Sequence, residues 1–400
     1  MKIAILASEF YPQVGGVGTY AVKLVKGLVK DKNFEVHVIT PAKNLPNKKY
    51  DPNEVKKLFD NKITLHNISE ANDTFVYNHF FQMAVLKKLP PLQKKYNFDI
   101  VHVTNLVHMP DIYLKIKGFK IPHVLTAHTI IRGQLKGTLK SEKNIFKMSR
   151  SEIGSLLLYP YISLLEWIYV KKTKELILTS YYNKKYFKNN YNYQKNSYVT
   201  HTGMDIEDFT SKSNIEKIKE IEPIKKPIIT FIGRLISQKG INVLIDAVKP
   251  LKGEYHLVFA GSGAEDTVIE KLKKNNITDY TFTGFINHKK LAYLLSKTSI
   301  YALPSFYEDF PNTILESMCF KVPIVASRIN GIPEMIKDNK EGFLFDAGDV
   351  KQLTKYLQIL LDDPKKRKKM GLAAFNRVNK EFHINKMVKD TKNIYRRIIR

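Results

Sequence analysis

The sequence predicts two α/β domains, each built on a parallel sheet. Three observations carry this expectation. Short β-branched runs alternate with helical patterns from the first residue, the alternation restarts at Pro227, and 400 residues suffice for two or three domains of about 100–200 residues each. Strands that alternate with helices imply βαβ units, which force parallel sheets covered on both faces.

The first half offers KIAILAS, EVHVIT, DIVHVT, HVLTAH and ELILTS as buried parallel strands. The opening apolar run reaches only about six residues before Ser8 and Glu9, too short for a signal-peptide core, so it reads as a first strand. The second half offers PIITFIG, YHLVFAG, YTFTG, SIYALPS, PIVAS and GFLFD. Between the halves, Asp208 to Lys226 is charged and poor in strand signals. The expected domains are therefore 1–207 and 227–380, with 208–226 as linker and 381–400 as a C-terminal helix packing back on the first domain. PKKRKK at 364–369 follows Asp362 and Asp363 and reads as a solvated helix start rather than an import signal.

Composition excludes several classes. A hydrophobic share of 44% and a charged share of 26% are globular averages and argue against disorder. The single cysteine, Cys319, permits neither an internal disulfide nor a thiolate zinc cluster, which fits a reducing, cytoplasmic setting. The longest apolar stretch, Ile153 to Val170, contains Gly154, Pro160 and Glu166 and falls short of the ~20 uninterrupted residues of a membrane span. The net charge of +27, split as +16 over 1–205 and +11 over 206–400, attracts polyanions, or else reflects lysine-rich solvated faces.

Chemistry is written most densely at YEDFPNTILESM, residues 307–318, directly after SIYALPS. Pro311 suits the first position of a helix, so the helix is expected to start at about Phe310. The amides of Asn312 and Thr313 then carry the positive end of its dipole into the crevice at the carboxyl end of a parallel sheet. Glu308 precedes the helix and Glu316 lies inside it, and carboxylates accept hydrogen bonds from vicinal hydroxyls with good geometry. The strand PIITFIG ends in Gly233 and Arg234, with Lys239 and Gly240 five and six residues after the arginine. Two fixed cations at a strand end are what a diphosphate leaving group requires. Gly15, Gly16 and Gly18 follow the first strand without GxGxxG spacing, but allow close approach of backbone to phosphate.

GGVGTY, THTGMD at 200–205, GRLISQKG at 233–240, AGSG at 260–263, and the Glu308 and Glu316 pair followed by PIVAS and GIPEM resemble the retaining glycosyltransferases of family 4. The resemblance covers nearly the whole chain and implies the GT-B fold, two Rossmann-like domains facing a cleft. It implies that Arg234 and Lys239 bind the donor diphosphate and that the Gly16 amide approaches it. It further implies that Glu316 holds the ribose, that Glu308 with the amides of Phe310, Asn312 and Thr313 holds the donor sugar, and that His128 in LTAHT lies near the transferred sugar. Asp309 and Pro311 stand where many relatives have glycine, and Thr202-Gly203-Met204 replaces Asn-Gly-Val, which loosens the donor assignment.

One further signal is basic. Arg132, Lys136, Lys140, Lys143, Lys147 and Arg150 fall within one stripe of about 80° on a helix, with only Glu142 among them as an acid. Such a stripe in the acceptor-side domain suits an anionic lipid surface, or is a solvated face. Gly133 and Gly137 weaken the helix there, and Trp167 and Tyr169 read as core.

The expected activity is transfer of a hexosyl group from a nucleotide diphosphate sugar, of UDP or GDP type, to a hydroxyl acceptor that is a lipid, a lipid-linked glycan or a polysaccharide. The family route is front-face displacement with retention; no cofactor, metal or nucleic acid is called for, because Arg234 and Lys239 neutralise the diphosphate. The alternatives are a nucleotide-sugar epimerase of the same fold and a nonenzymatic membrane- or polyanion-binding protein.

Overall fold

The computed structural model describes residues 1–11, 15–44, 49–70, 77–105, 121–141 and 150–400. The chain forms two compact units. The first comprises residues 1–130, 161–203 and 384–400, the second residues 131–160 and 204–383.

The first unit carries seven parallel strands: β1 (Lys2–Leu6), β2 (Glu35–Ala42), β3 (Ile63–Glu70), β4 (Ile100–Val103), β5 (His123–Ala127), β6 (Glu175–Leu178) and β7 (Asn196–Val199). Their order is β3-β2-β1-β4-β5-β6-β7. Alternation along β1 shows why both faces are covered: Ile3 and Ile5 pack on one side with the helix Gly16–Leu28 and the C-terminal helix Ile384–Ile399, Ala4 and Leu6 on the other. Met387, Val388, Ile394 and Tyr395 anchor that terminal helix in the core of this unit.

The second unit repeats the plan with β8 (Ile228–Ile232), β9 (His256–Ala260), β10 (Tyr280–Gly284), β11 (Ile300–Leu303), β12 (Ile324–Ser327) and β13 (Gly342–Phe345), in the order β10-β9-β8-β11-β12-β13. Tyr301 and Leu303 face one core, Ile300 and Ala302 the other. The fold is therefore two Rossmann-like halves with parallel sheets.

Several expectations change. Strands β3 and β7 were not among the runs read from the sequence. Residues 208–226 do not act as a bare linker: the helix Ile206–Thr210 packs in the second unit, and Ile218 and Ile221 are buried beside Ile228 and Val258. The chain passes between the units after residues 130, 160, 203 and 383 instead. The helix after β11 is Asn312–Cys319, and Pro311, with ψ of 123°, caps it from outside rather than occupying its first position. Tyr169 is core, but Trp167 is 46% exposed, because the Trp167 side of the helix Arg150–Lys172 also presents Tyr161 and Leu164.

Candidate functional site

In the second unit, glycines bring the strand ends close together. Gly233 (φ +151°) ends β8 and Gly261 (φ +148°) ends β9, and a Cβ on Gly261 would lie 1.9 Å from the Gly233 carbonyl oxygen. Arg234 leaves this crossing exposed to solvent. After the short 3₁₀ turn Ser237–Lys239, Gly240 adopts φ +71°, where a Cβ would lie 1.9 Å from the Pro304 carbonyl oxygen. That approach delivers Lys239 to the carboxyl end of β11.

There Lys239 Nζ donates to Glu308 Oε1 at 2.5 Å, and Ser305 Oγ donates to the same oxygen at 2.9 Å. The two charged side chains are only 19% and 11% exposed, so the pair is screened weakly by solvent and each partner depends on the other for charge compensation. Asn330 Nδ2 holds the Glu308 backbone carbonyl at 2.6 Å. Beside them, Tyr301 donates to Thr313 Oγ1 at 2.7 Å. Burial pushes the Tyr301 hydroxyl well above its ordinary range, and the charges of Glu308 and Glu316 add to that rise. Glu316 is buried, and Phe310 packs its ring on Phe382 in the core.

The structure thus brings Lys239, Glu308, Thr313 and Glu316 around Ser305 and Tyr301. Sequence reasoning missed Ser305, Tyr301 and Asn330; the only signal was their place in or beside SIYALPS and GIPEM.

In the first unit, the helix Gly16–Leu28 begins after Gly15, whose amide donates to Glu9 Oε2 at 3.2 Å. Glu9 was missed, although it lies in the same strand-to-helix segment. His128 follows β5, with the Tyr20 ring edge-on at 4.5 Å. Burial lowers its pKa to about 4, against a raising hydrogen bond to the Thr104 backbone, and Nε2 is buried without a partner. The same condition holds for Ser8, Thr40, Ser69, Asn105 and Thr200, all near strand carboxyl ends of this sheet.

Of the basic stripe, Arg132, Lys136 and Lys140 lie on the helix Ile131–Ser141, the lysines exposed; Lys143 and Lys147 fall outside the described residues, and Arg150 opens the next helix. This helix belongs with the second unit, not the acceptor-side domain. Gln238 Nε2 donates to the Gln134 carbonyl at 2.9 Å and Thr138 Oγ1 at 3.0 Å. Gly133 and Gly137, expected to weaken the helix, are its contact points: a Cβ on either would meet Tyr307 at 2.6 and 2.5 Å. Among the described residues no helix is long and apolar enough to cross a membrane.

Two Rossmann-like sheets with polar residues gathered at the strand carboxyl ends define a class that known proteins share. The Glycosyltransferase Family 4 model matches residues 14–208 and the Glycosyl transferases group 1 model matches residues 213–377. The chain is 26% identical over 411 residues to N-acetyl-alpha-D-glucosaminyl L-malate synthase of Bacillus anthracis, covering 100% of this chain and 98% of that one. Among solved structures it resembles sucrose-phosphate synthase of Thermosynechococcus elongatus, with a TM-score of 0.79, 19% identity and coverage of 99% and 98%. It also resembles Anabaena HepE in complex with UDP-glucose, with a TM-score of 0.71, 17% identity and coverage of 100% and 99%. The chain belongs to the family 4-like GT-B glycosyltransferases. It is a transferase.

Proposed function

We propose that the protein is a retaining hexosyltransferase that takes its sugar from a nucleotide diphosphate donor and delivers it to a hydroxyl of a lipid, a lipid-linked glycan or a polysaccharide. The observation that carries the reading is the weakly exposed Lys239–Glu308 pair, with Arg234 at the end of the adjacent strand β8. Arg234 and Lys239 meet the charge that builds on the diphosphate as the glycosidic bond breaks. Glu308, with the amides of Phe310, Asn312 and Thr313, holds the sugar, and Glu316 the ribose. In the front-face route, the leaving phosphate oxygen takes the proton of the incoming acceptor hydroxyl on the side from which it departs, so no carboxylate need form a covalent intermediate. To the first unit we assign the acceptor, with Gly16 and His128 as its groups for phosphate and sugar. The unpartnered hydroxyls near its strand ends suit a polyhydroxyl ligand.

The donor type follows HepE, solved with UDP-glucose, although GDP sugars fit the same cations. The Bacillus relative's name specifies an N-acetylglucosaminyl group and malate, which makes a small acceptor the competing outcome. A lipid acceptor is favoured by Tyr161 and Leu164, each 56% exposed, on the side of the helix that also carries Trp167 and just ahead of Lys171 and Lys172.

The test is a screen of labelled UDP and GDP sugars for release of the nucleotide diphosphate without acceptor, repeated in EDTA, with the anomeric configuration of the product read by NMR. Release that survives EDTA, and retention of configuration, are expected. Formation of an isomeric nucleotide sugar would instead establish an epimerase, and an inverted product would discard the front-face route.

A further inference from the structure

Five buried polar side chains of the first unit form one hydrogen-bonded circuit to which the transfer chemistry assigns no role. Tyr395, on the helix Ile384–Ile399, bonds His102 Nδ1 at 2.5 Å; His102 Nε2 bonds Thr126 Oγ1 at 2.7 Å; Thr126 Oγ1 bonds Tyr20 at 3.3 Å. Tyr20 also bonds Thr391, which lies one turn before Tyr395 on the same helix. The circuit leaves the terminal helix, crosses β4 and β5, enters the helix Gly16–Leu28 and returns to where it began. His128 stands beside the circuit and meets Tyr20 through ring contact.

The proton positions follow by elimination. Thr391 Oγ1 donates to the Met387 carbonyl at 2.8 Å, so it accepts from Tyr20. Tyr20 has then spent its proton and accepts from Thr126. Thr126 in turn accepts from His102 Nε2–H, which leaves Nδ1 to accept from Tyr395. Every proton in the circuit runs in one direction, and reversing any single bond leaves two protons or two lone pairs facing each other. His128 is fixed separately: its Nε2 has no partner, so its bond to the Thr104 carbonyl comes from Nδ1–H, and Nε2 presents a bare lone pair.

We propose that Tyr20 is a positioning residue for His128, and that the circuit through Thr126, His102, Tyr395 and Thr391 holds it in place. The C-terminal helix thereby orients the imidazole assigned above to the transferred sugar. The inference rests on that assignment. Tyr20 supplies the edge-to-face wall at 4.5 Å that keeps the Nε2 lone pair directed as an acceptor for a substrate hydroxyl. Among the described residues Tyr395 is joined to His102 by a hydrogen bond and a ring contact, and no hydrogen bond or ring contact joins it to His128, so a displaced His128 spectrum on its substitution points to the circuit.

The experiment compares wild type with Tyr20→Phe, Tyr395→Phe and His128→Ala, all labelled with ¹⁵N-histidine. Wild-type spectra should show His102 as the Nε2–H tautomer and His128 as the Nδ1–H tautomer. Each Phe variant should keep the donor KM within about twofold while kcat falls about tenfold, with the His128 resonances displaced. A merely structural role would lower the melting temperature and leave kcat and the His128 spectrum unchanged below it. The wild-type spectra test the circuit even if a variant does not fold: His102 with its proton on Nδ1 overturns the proposal. Unchanged kcat and His128 signals in both Phe variants, beside a damaged His128→Ala, overturn the circuit's role alone. Full turnover in His128→Ala overturns the assignment of His128 and this proposal with it.

Discussion

The strand carboxyl ends of the two sheets are built on the same topology and finished in opposite ways. In the second unit the Lys239–Glu308 pair is already made and joined by Ser305, and Thr313 is held by Tyr301. In the first unit six polar side chains near the strand ends, from Ser8 to Thr200, are buried with an atom lacking any partner, whereas near the strand ends of the second sheet Ser327 alone does so among the described residues. A buried polar atom without a partner costs about 1–3 kcal/mol, a cost that a ligand's hydroxyls remove. A preassembled charged cluster suits a ligand of fixed chemistry, a diphosphate sugar. A row of unsatisfied polar atoms suits one whose hydroxyls complete it.

The largest effect should come from dismantling the preassembled side. Arg234→Ala or Lys239→Ala is expected to lower kcat about 100-fold or more, because in the proposed reaction each cation meets charge that develops only in the transition state. Steady-state assays on folded variants check this, and rates near wild type would remove the donor site from the second unit. Lys239→Ala carries a further consequence, since it leaves Glu308, only 11% exposed, without its countercharge; it should lose more thermal stability than Arg234→Ala, whose side chain is exposed.

The paired acids sharpen the same side. Glu308→Gln keeps shape, loses charge and releases Lys239. A loss of about 30-fold in transfer is expected, with affinity for the free nucleotide diphosphate held within about threefold. Glu316→Gln should instead weaken that affinity about tenfold. Calorimetry with the nucleotide alone distinguishes the two roles, and equal losses in both variants would contradict them.

How much of this was legible in the sequence depended on whether contacts are local. The motifs from Gly233 to Asp346 are contiguous runs at strand ends, and all six strands of the second sheet were read from them. The strands missed, β3 and β7, are the two edges of the first sheet. ITLHNISE and NSYV are half exposed there, so neither carries the apolar run that identifies a buried strand. The Lys239–Glu308 pair spans 69 residues and depends on Gly240 passing against Pro304, a tertiary contact that no spacing rule contains. Gly133 and Gly137 were misread for the same reason: local propensity counts them against a helix, while Tyr307 requires them in it. Trp167 was misread because an apolar run suggests burial and does not say which side is covered.

The basic helix tests whether the two units differ in surface as well as in site. Lys136 and Lys140 are exposed, while Gly137 and Thr138 on the same helix are buried. Replacing both lysines by Gln should weaken binding to anionic vesicles about 30-fold, at about 1 kcal/mol per cation. Wild-type binding should fade as the Debye length falls from about 10 Å at 0.1 M salt to about 3 Å at 1 M. Flotation assays decide this. If wild type does not bind vesicles, the lysines are a solvated face and a soluble acceptor is favoured.

The last contrast is in response to acid. Burial lowers the pKa of His102 to about 3 and those of His66 and His128 to about 4, and all three histidines lie in the first unit. In the unfolded chain each would titrate near 6.5, so from about pH 6.5 down to pH 4 the unfolded state binds protons that the folded state refuses. Stability of the first unit must therefore fall as pH falls through this window. His102, fully buried, alone contributes a slope that rises from about half of 1.4 kcal/mol per pH unit at pH 6.5 toward about 1.4 at pH 5. In the second unit the lowered carboxylates are Asp279, where burial is outweighed by Lys226 and His256, and Glu222, held down by Lys217; both give up stability around and below the ordinary carboxylate range, outside the window. Calorimetry between pH 7 and 5 should then show the first unit's transition moving down in temperature while the second unit's stays nearly fixed. Replacing His102 by Gln, which can still accept from Tyr395 and donate to Thr126 but takes up no proton, should flatten the first unit's slope at about pH 5 by the same ~1.4 kcal/mol per pH unit, within about 0.5. Transitions that shift together, or a slope unchanged by the substitution, would mean that the buried histidines are not what distinguishes the two halves.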